Sequence, residues 1–472
     1  MSSSAAEGQT PAAPRVHLKV TAGSPLAEVF LINDDLALVQ RSVGDLDAEV
    51  APGVYKVKAK LGDATNERLI LLDSAESLDV SGDLLVRSPV PFSLAPFDST
   101  PDLDLTPGSS PSRQMAQQLG DGAEVFLMTR RAISSNDDST SPPRVSLHRL
   151  DGSSIIALAP GPGGAPDDEV ATVKVDPGPY LVRRRDSFGH AAELCIYAVA
   201  GWQTQVFTLE GPGDEAEIGR TRMSVLMARQ GFDPNDPRPP VVEQARTALA
   251  DERKIATDVL GELWETSDDP MLALFGAHLM LISRDSNLRE AAERSTGRLD
   301  EKAVTAPVLF DQARFDRIVD RLFRDLGDGH ADVTALATQR SHQSLGALRP
   351  ITAPPMLWRS WILLIAASNV APNLVPVDAW QRSFQVLPLR PFFLWAPTEG
   401  SNEIERSFTD GIAASLSEKF RKPRGVSWWR WLIFTLRSRR QRVAGNDLLR
   451  RVSADLLVPR AAIDKIAAGD PL

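Results

Sequence analysis

One cysteine and six histidines are the side chains of this 472-residue sequence best suited to nucleophilic or metal chemistry. Cys195 follows His190 by five residues. A thiolate nucleophile needs a histidine base and an electropositive, partly open setting. Cys195 instead lies in the apolar run Glu193-Leu-Cys-Ile-Tyr-Ala198, which reads as a strand, so the expectation is a core thiol. Gly327-Asp-Gly-His-Ala-Asp332 groups two carboxylates and an imidazole. As chemistry it would be a small metal or acid–base site; as structure it is a loop between helices in which Asp332 caps the next helix, and the structural reading is preferred. His278 falls inside an apolar helix and is expected to be a hydrogen-bonded core residue. None of His17, His148, His190, His278, His330 and His342 pairs at the i, i+4 spacing of a helical zinc site. Gly161-Pro-Gly-Gly164 has loop composition with no phosphate-binding helix behind it, and no Gly-x-Ser-x-Gly elbow occurs. No catalytic residue, metal ligand, cofactor site or small-molecule substrate is therefore assigned.

A second cluster points to binding. Trp428, Trp429 and Trp431 are three of the chain's nine tryptophans, and residues 417–442 carry nine Lys or Arg against one Glu. Projected at ~100° per residue, Trp428, Trp429, Leu432, Ile433 and Leu436 form one broad face. Arg430, Arg437 and Gln441 form a narrow stripe opposite, and Arg439 and Arg440 add to the charge beyond. Such a helix suits three roles: a core helix, a docking helix for a protein partner, or an interfacial helix on anionic lipid. Stacking on nucleic acid is not expected, because aromatics facing a core cannot also stack bases.

The elements that must position these residues follow from composition and patterning. The net charge of −10 disfavours a general nucleic-acid binder, and 43% hydrophobic with 24% charged residues is typical of a globular chain of several domains. A single cysteine excludes an intrachain disulfide and fits a reducing compartment. Residues 1–14 lack the basic and apolar regions of a signal peptide and read as a disordered tail. No run of 18 apolar residues is present. The expected location is cytoplasmic, with the inner membrane face as the alternative should the tryptophan helix bind lipid.

Three strings recur in the same order: Ala27-Glu-Val-Phe-Leu-Ile32 with Ala123-Glu-Val-Phe-Leu-Met128, Ala51-Pro-Gly-Val-Tyr-Lys-Val57 with Asp176-Pro-Gly-Pro-Tyr-Leu-Val182, and Glu67-Arg-Leu-Ile-Leu-Leu72 with Glu193-Leu-Cys-Ile-Tyr-Ala198. This predicts a tandem duplication. Short β-rich runs between turn residues predict antiparallel β-sandwiches, at 15–95 and 122–212, with a linker at 96–121. The second copy carries loop insertions at Ser134–Pro143 and Gly161–Asp168, expected to be exposed and mobile. Two of the three tyrosines, Tyr55 and Tyr180, share one position of the repeat and are expected to be structural. The Pro-Gly-x-Tyr string resembles the tyrosine corner of Greek-key sandwiches. With the valine that follows, it is similar to small carboxypeptidase-regulatory or PEGA-type bacterial modules, which implies binding or spacing.

From residue 216 to 472 the period becomes helical and an all-α bundle is expected. Asp269-Pro270 is a strong helix start. Residues 313–326 place Phe315, Ile318, Leu322 and Leu326 on one stripe, with Gly327 as C-cap. The strings at 269–278, 330–336 and 354–361 resemble a helical region of uncharacterised bacterial proteins, some associated with caspase-like peptidases. With no caspase-type cysteine signature here, that resemblance implies a peptidase partner. The sequence thus predicts a multidomain α+β protein, two tandem β-sandwich modules followed by a helical bundle. It would act as a scaffold or adaptor, with a peripheral membrane protein and an unrecognised hydrolase as alternatives.

Overall fold

The computed structural model describes residues 15–22, 27–61, 64–80, 89–91, 112, 122–131, 145–160, 169–185, 190–210, 222–233, 236, 238–252, 269–295, 310–383, 385–387, 389–397 and 449–468. The tryptophan–arginine segment with Trp428, Trp429, Arg430, Trp431, Arg437, Arg439 and Arg440 lies outside these residues. So do the tail, both insertions and nearly all of the expected linker. The chain is mixed α+β: sheets dominate its N-terminal part and helices its C-terminal part. It divides into two compact units, Met1–Ser88 with Ser93–Asp98, and Pro89–Phe92 with Ser99–Leu472.

The first unit contains strands β1 (Val16–Thr21), β2 (Glu28–Asn33), β3 (Leu38–Val43), β4 (Leu46–Val50), β5 (Gly53–Leu61), β6 (Ala64–Leu72) and β7 (Glu76–Asp79). They form a three-stranded sheet, β4-β1-β7, and a four-stranded sheet, β3-β2-β5-β6. Alternation decides the faces. In β4, Leu46, Ala48 and Val50 are buried while Asp47 and Glu49 are exposed. The inward residues of both sheets, Leu18, Val20, Val29, Leu31, Val57 and Ile70 among them, make one apolar core.

The second unit opens with β8 (Ala123–Arg131), β9 (Val145–His148), β10 (Ser154–Ala157), β11 (Ala159–Pro160), β12 (Glu169–Val175), β13 (Gly178–Arg185), β14 (Ala191–Ala198) and β15 (Gln203–Glu210). Its pairings repeat those of the first. β1 pairs antiparallel with β4 and parallel with β7; β8 pairs antiparallel with β12 and parallel with β15. The series β3-β2-β5-β6 returns as β10-β9-β13-β14. The registers coincide as well. Tyr55 lies opposite Ile70 and Tyr180 opposite Ile196; Lys58 lies opposite Glu67 and Arg183 opposite Glu193. Two of the three recurrent strings therefore occupy corresponding strands. The string Ala-Glu-Val-Phe-Leu does not: its first copy is β2 and its second is β8, the counterpart of β1. The burial of the two strands differs as well: residues 123–129 of β8 are all buried, whereas β2 is only partly so.

Residues beyond 216, expected to be all-α, also supply strands. β16 (Arg222–Ala228) pairs with β15, and β17 (Gln385–Leu387) and β18 (Leu394–Ala396) extend the other sheet from β14. The expected boundary between 212 and 216 thus falls within one compact unit. The helices are α1 (Arg238–Ala250), α2 (Pro270–Ser295), α3 (Gln312–Leu326), α4 (Ala331–Ala337), α5 (Trp358–Ser368), α6 (Val377–Gln381) and α7 (Arg460–Ala468), with a further helical segment at 449–456. Asp269 caps α2, its Oδ1 accepting from the Met271 amide at 2.8 Å. Asp311 caps α3 through the Arg314 amide, and Gly327 ends it at φ 83°, where the absence of a Cβ is required.

Each module is pinned at the same turn. The Tyr55 hydroxyl donates to the Ala51 carbonyl and the Tyr180 hydroxyl to the Asp176 carbonyl, both at 2.8 Å across four residues. Both rings are buried. Tyr55→Phe and Tyr180→Phe are each expected to lower stability by about 1 kcal/mol, measured as a shift in the urea unfolding transition, because one neutral hydrogen bond is lost while the ring still packs.

Candidate functional site

Two places combine chemistry-bearing side chains with an unusual setting. The first lies beneath β14, where its outer face meets α4 and α5. Cys195 and Tyr197 of β14 join Ala331, Trp361, Ile365, Phe393 and Trp395 in one buried cluster. Tyr197 stacks on His330 with ring centroids 3.9 Å apart, and its hydroxyl oxygen accepts from the Ala331 amide at 3.2 Å. Beside them the Asp332 carboxylate accepts from the amides of Met356 (2.8 Å) and Leu357 (2.9 Å). Asp332 therefore does not cap its own helix, as the sequence suggested. It holds the entrance to α5, whose first amides have no partner within the helix.

Ser360 on α5 sits beside the Asp332 carboxylate and lies 3.0 Å from Nε2 of His278 on α2. Serine, histidine and aspartate thus meet in space, but in the wrong order for nucleophilic catalysis. An activated serine needs the histidine between itself and the carboxylate, so that the imidazole takes the hydroxyl proton. Here the serine is in the middle, and Nδ1 of His278 has no hydrogen-bond partner to orient it. Burial pushes both His278 and His330 down to about 3, so both are neutral near pH 7. The 3.6 Å approach of His330 Nδ1 to Asp332 is accordingly not an ion pair at that pH. Burial raises Asp332 to about 6, against its hydrogen bonds, which favour the ionised form. Burial also raises the Cys195 thiol well above its usual range, with the Asp332 charge adding to it, while His190 lies exposed at the start of the strand. The pairing of Cys195 with His190 is thus not formed. Tyr197 ties β14 to α4, and the His278–Ser360 contact ties α2 to α5.

Further polar ties surround them. Arg183 donates twice to Glu193 Oε1, at 2.9 and 2.7 Å, and the Trp395 indole donates to the other oxygen at 3.0 Å. On the opposite sheet Gln203 bonds Glu124 (3.0 Å) and Ser112. Ser112, inside the expected linker, is therefore fully buried. Burial pushes Glu124 up to about 7, with the Gln203 bond opposing it. A pocket near β16 is lined by Gln205, Phe232, Asp236, Arg238 and Asp269, but Asp236 is engaged by Arg238 and Asp269 by its helix cap. Sequence reasoning singled out Cys195, His278, His330 and Asp332 but missed Ser360, Tyr197 and Trp395. Nothing in the sequence shows that 82 residues separate two hydrogen-bonded side chains.

The second place is the outer face of β5 and β6 in the first unit. Val54, Leu69 and Leu71 are 39%, 76% and 69% exposed, and Leu36 and Leu38 are exposed at the β2–β3 hairpin. Val54 lies directly opposite Leu71, and Leu69 opposite Lys56. Lys56 and Lys58 flank the patch and both reach Glu67, at 2.5 and 2.9 Å. The lysines lower the Glu67 pKa through their hydrogen bonds. In the second unit the counterparts of Leu69 and Leu71 are Cys195 and Tyr197, covered by helices, and the counterpart of Glu67 is Glu193, reached by Trp395. One module has its outer face covered, and the corresponding face of the other is open.

No family model matches this chain, and no curated protein matches it. Among solved structures, the TIE protein of Bacillus anthracis aligns over 39% of this chain and 32% of its own length, at 12% identity and a TM-score of 0.14. Candidate cell adhesion proteins of Bacteroides fragilis and Bacteroides eggerthii align over 47% and 48% of this chain and 98% and 100% of their own. Their identities are 8% and 11% and their TM-scores 0.16 and 0.15. These scores lie too low for any inference to rest on them. Among the described residues no helix is long and apolar enough to cross a membrane, and no group of three or more His, Cys, Asp or Glu could hold a metal ion.

The buried histidines give a pH dependence of definite sign. Folded His278 titrates at about 3 against an ordinary value near 6.5, so between those limits the unfolded chain binds the extra proton. Stability is lost as pH falls from 6.5. Asp332, raised to about 6 from an ordinary 3.8, acts oppositely: its contribution is full below 3.8 and lost as pH rises through 6. His278→Gln keeps a donor for Ser360 but cannot titrate. Chemical denaturation at several pH values should show its acid slope reduced relative to wild type, by up to about 1.4 kcal/mol per pH unit between 6.5 and 4. An unchanged slope would contradict the buried neutral assignment.

Proposed function

We propose that this chain is a non-enzymatic interaction protein, a scaffold or adaptor in which two tandem β-sandwich modules precede a helical region. One observation carries the reading. Copies of one seven-stranded arrangement differ in what lies on the β5/β6 face: buried Cys195 and Tyr197 in one, solvent-facing Leu69 and Leu71 in the other. A contiguous exposed apolar patch framed by charged residues is the composition of a protein-docking surface. The lysines at 56 and 58, in a chain of net charge −10, favour an acidic rim on the partner. The buried array of Ser360, His278 and Asp332 is assigned to holding the helices together, and no substrate or cofactor is assigned to it. The likeness of the helical region to proteins associated with caspase-like peptidases makes such a peptidase the first partner class to examine.

The test uses the full chain as bait in lysate of its native host, beside Val54→Lys. A discrete protein retained by wild type at stoichiometric amounts, and reduced at least tenfold by Val54→Lys, is the expected result. No retained protein, or one indifferent to the substitution, would remove this face as the docking surface.

A further inference from the structure

The module with the open face also has an open edge. Among the described residues β6 is the outermost strand of its sheet, and β7 is an outer strand of the other. In the second unit neither corresponding edge is open. β14, the counterpart of β6, carries β18 antiparallel, with Glu193 opposite Trp395 and Leu194 opposite Leu394, and β17 lies beyond. β15, the counterpart of β7, carries β16. The fold thus accepts an added antiparallel strand at this position.

The edges of the first module are not equally guarded. Edge strands resist pairing when they are short, charged, bulged or interrupted by proline. β7 has four residues, two of them Glu76 and Asp79. β3 pairs with β2 through a register shift between Leu31 and Ile32 and carries Arg41. β6 runs for nine residues, Ala64-Thr-Asn-Glu-Arg-Leu-Ile-Leu-Leu72, with no proline and no shift in its register with β5, and its two charges, Glu67 and Arg68, precede an apolar second half.

We propose that β6 pairs antiparallel with β6 of a second copy of this chain, joining two four-stranded sheets into one of eight strands about a two-fold axis. The inference rests on the interaction reading above and names one partner for it. An antiparallel strand matched to its own image is an isologous contact, which closes and leaves neither edge open. About Ile70, Leu69 of one copy falls opposite Leu71 of the other. Cross-strand neighbours share a face, so four exposed leucines become one cluster. In this register Glu67 falls opposite Asp73 of the other copy, and Lys56 and Lys58, both bound to Glu67, offset that repulsion. The same apolar run supplies both sides of the contact, which a separate protein's strand would have to match independently.

Sedimentation velocity on the full chain from 1 to 100 µM tests this, with Leu69→Lys/Leu71→Lys and with Leu288→Lys, another exposed leucine, as the control. Wild type and the control should shift toward twice the chain mass with rising concentration. The double variant should remain monomeric with an unchanged circular dichroism spectrum, since both side chains are solvent-facing. Wild type that stays monomeric to 100 µM overturns the proposal and leaves the edge to another protein's strand. A dimer that survives the double substitution overturns it too. The interaction reading fails separately, by the Val54→Lys retention experiment, and it stands if wild type is monomeric yet retains a partner.

Discussion

A β-strand has two faces and, at the border of a sheet, a row of unpaired backbone groups; packing two sheets together satisfies only one face of each. That constraint arranges this protein. The same seven-strand connectivity occurs twice, with the same cross-strand partners and the same tyrosine-to-carbonyl bond before the fifth strand. In the second copy the remaining face and edges are satisfied from far along the chain. α4 and α5 cover β14, β18 borders it, and β16 borders β15. In the first copy Leu69 and Leu71 face solvent, and among the described residues no further strand borders β6 or β7.

The polar groups buried in the second copy follow from the way it is covered. A helix laid on a sheet brings its own unpaired end amides into the core, and these need acceptors. Asp332 accepts from the Leu357 amide at the N-cap of α5 and from the Met356 amide just before it, and Tyr197 accepts from Ala331 at the start of α4. Ser360 and His278 extend the chain to α2. The three side-chain types of a serine triad are present, but the serine lies between the other two, whereas an activated serine needs the histidine between itself and the carboxylate. Deep burial keeps both imidazoles neutral, which suits a packed interface.

Local signals were legible in the sequence where short-range physics decides. Asp269-Pro270 starts a helix, Phe315, Ile318, Leu322 and Leu326 form its neighbour's buried stripe, and the repeated Pro-Gly-x-Tyr marks the same corner twice. Long-range pairing was not legible. The short strand at 394–396 is fixed by hydrogen bonds to β14 some 200 residues away, the strand at 385–387 pairs with it in turn, and nothing in their own pattern distinguishes them from loop. The string Ala-Glu-Val-Phe-Leu misled in the opposite way, because the same apolar run serves a strand buried throughout, β8, and a partly buried one, β2. Of the candidate site, Asp332 and His278 were visible as misplaced polar residues, but the tie through Ser360 depends on three helices meeting. The alternation Tyr55-Lys-Val-Lys-Ala-Lys60 marks one wet face on β5, but the exposure of Leu69 and Leu71 on β6 was not legible, since strands with an exposed and a covered outer face carry similar apolar runs.

The central claim is that two copies of one fold differ in what covers them, and hydrogen exchange of the full chain at sub-micromolar concentration measures this directly. Amides of residues 191–198 should exchange slowly, together with those of α5, while amides of residues 64–72 exchange faster by at least an order of magnitude, as a solvent-facing edge strand does. Equal protection of the two strands, or β14 exchanging independently of α5, would contradict the account.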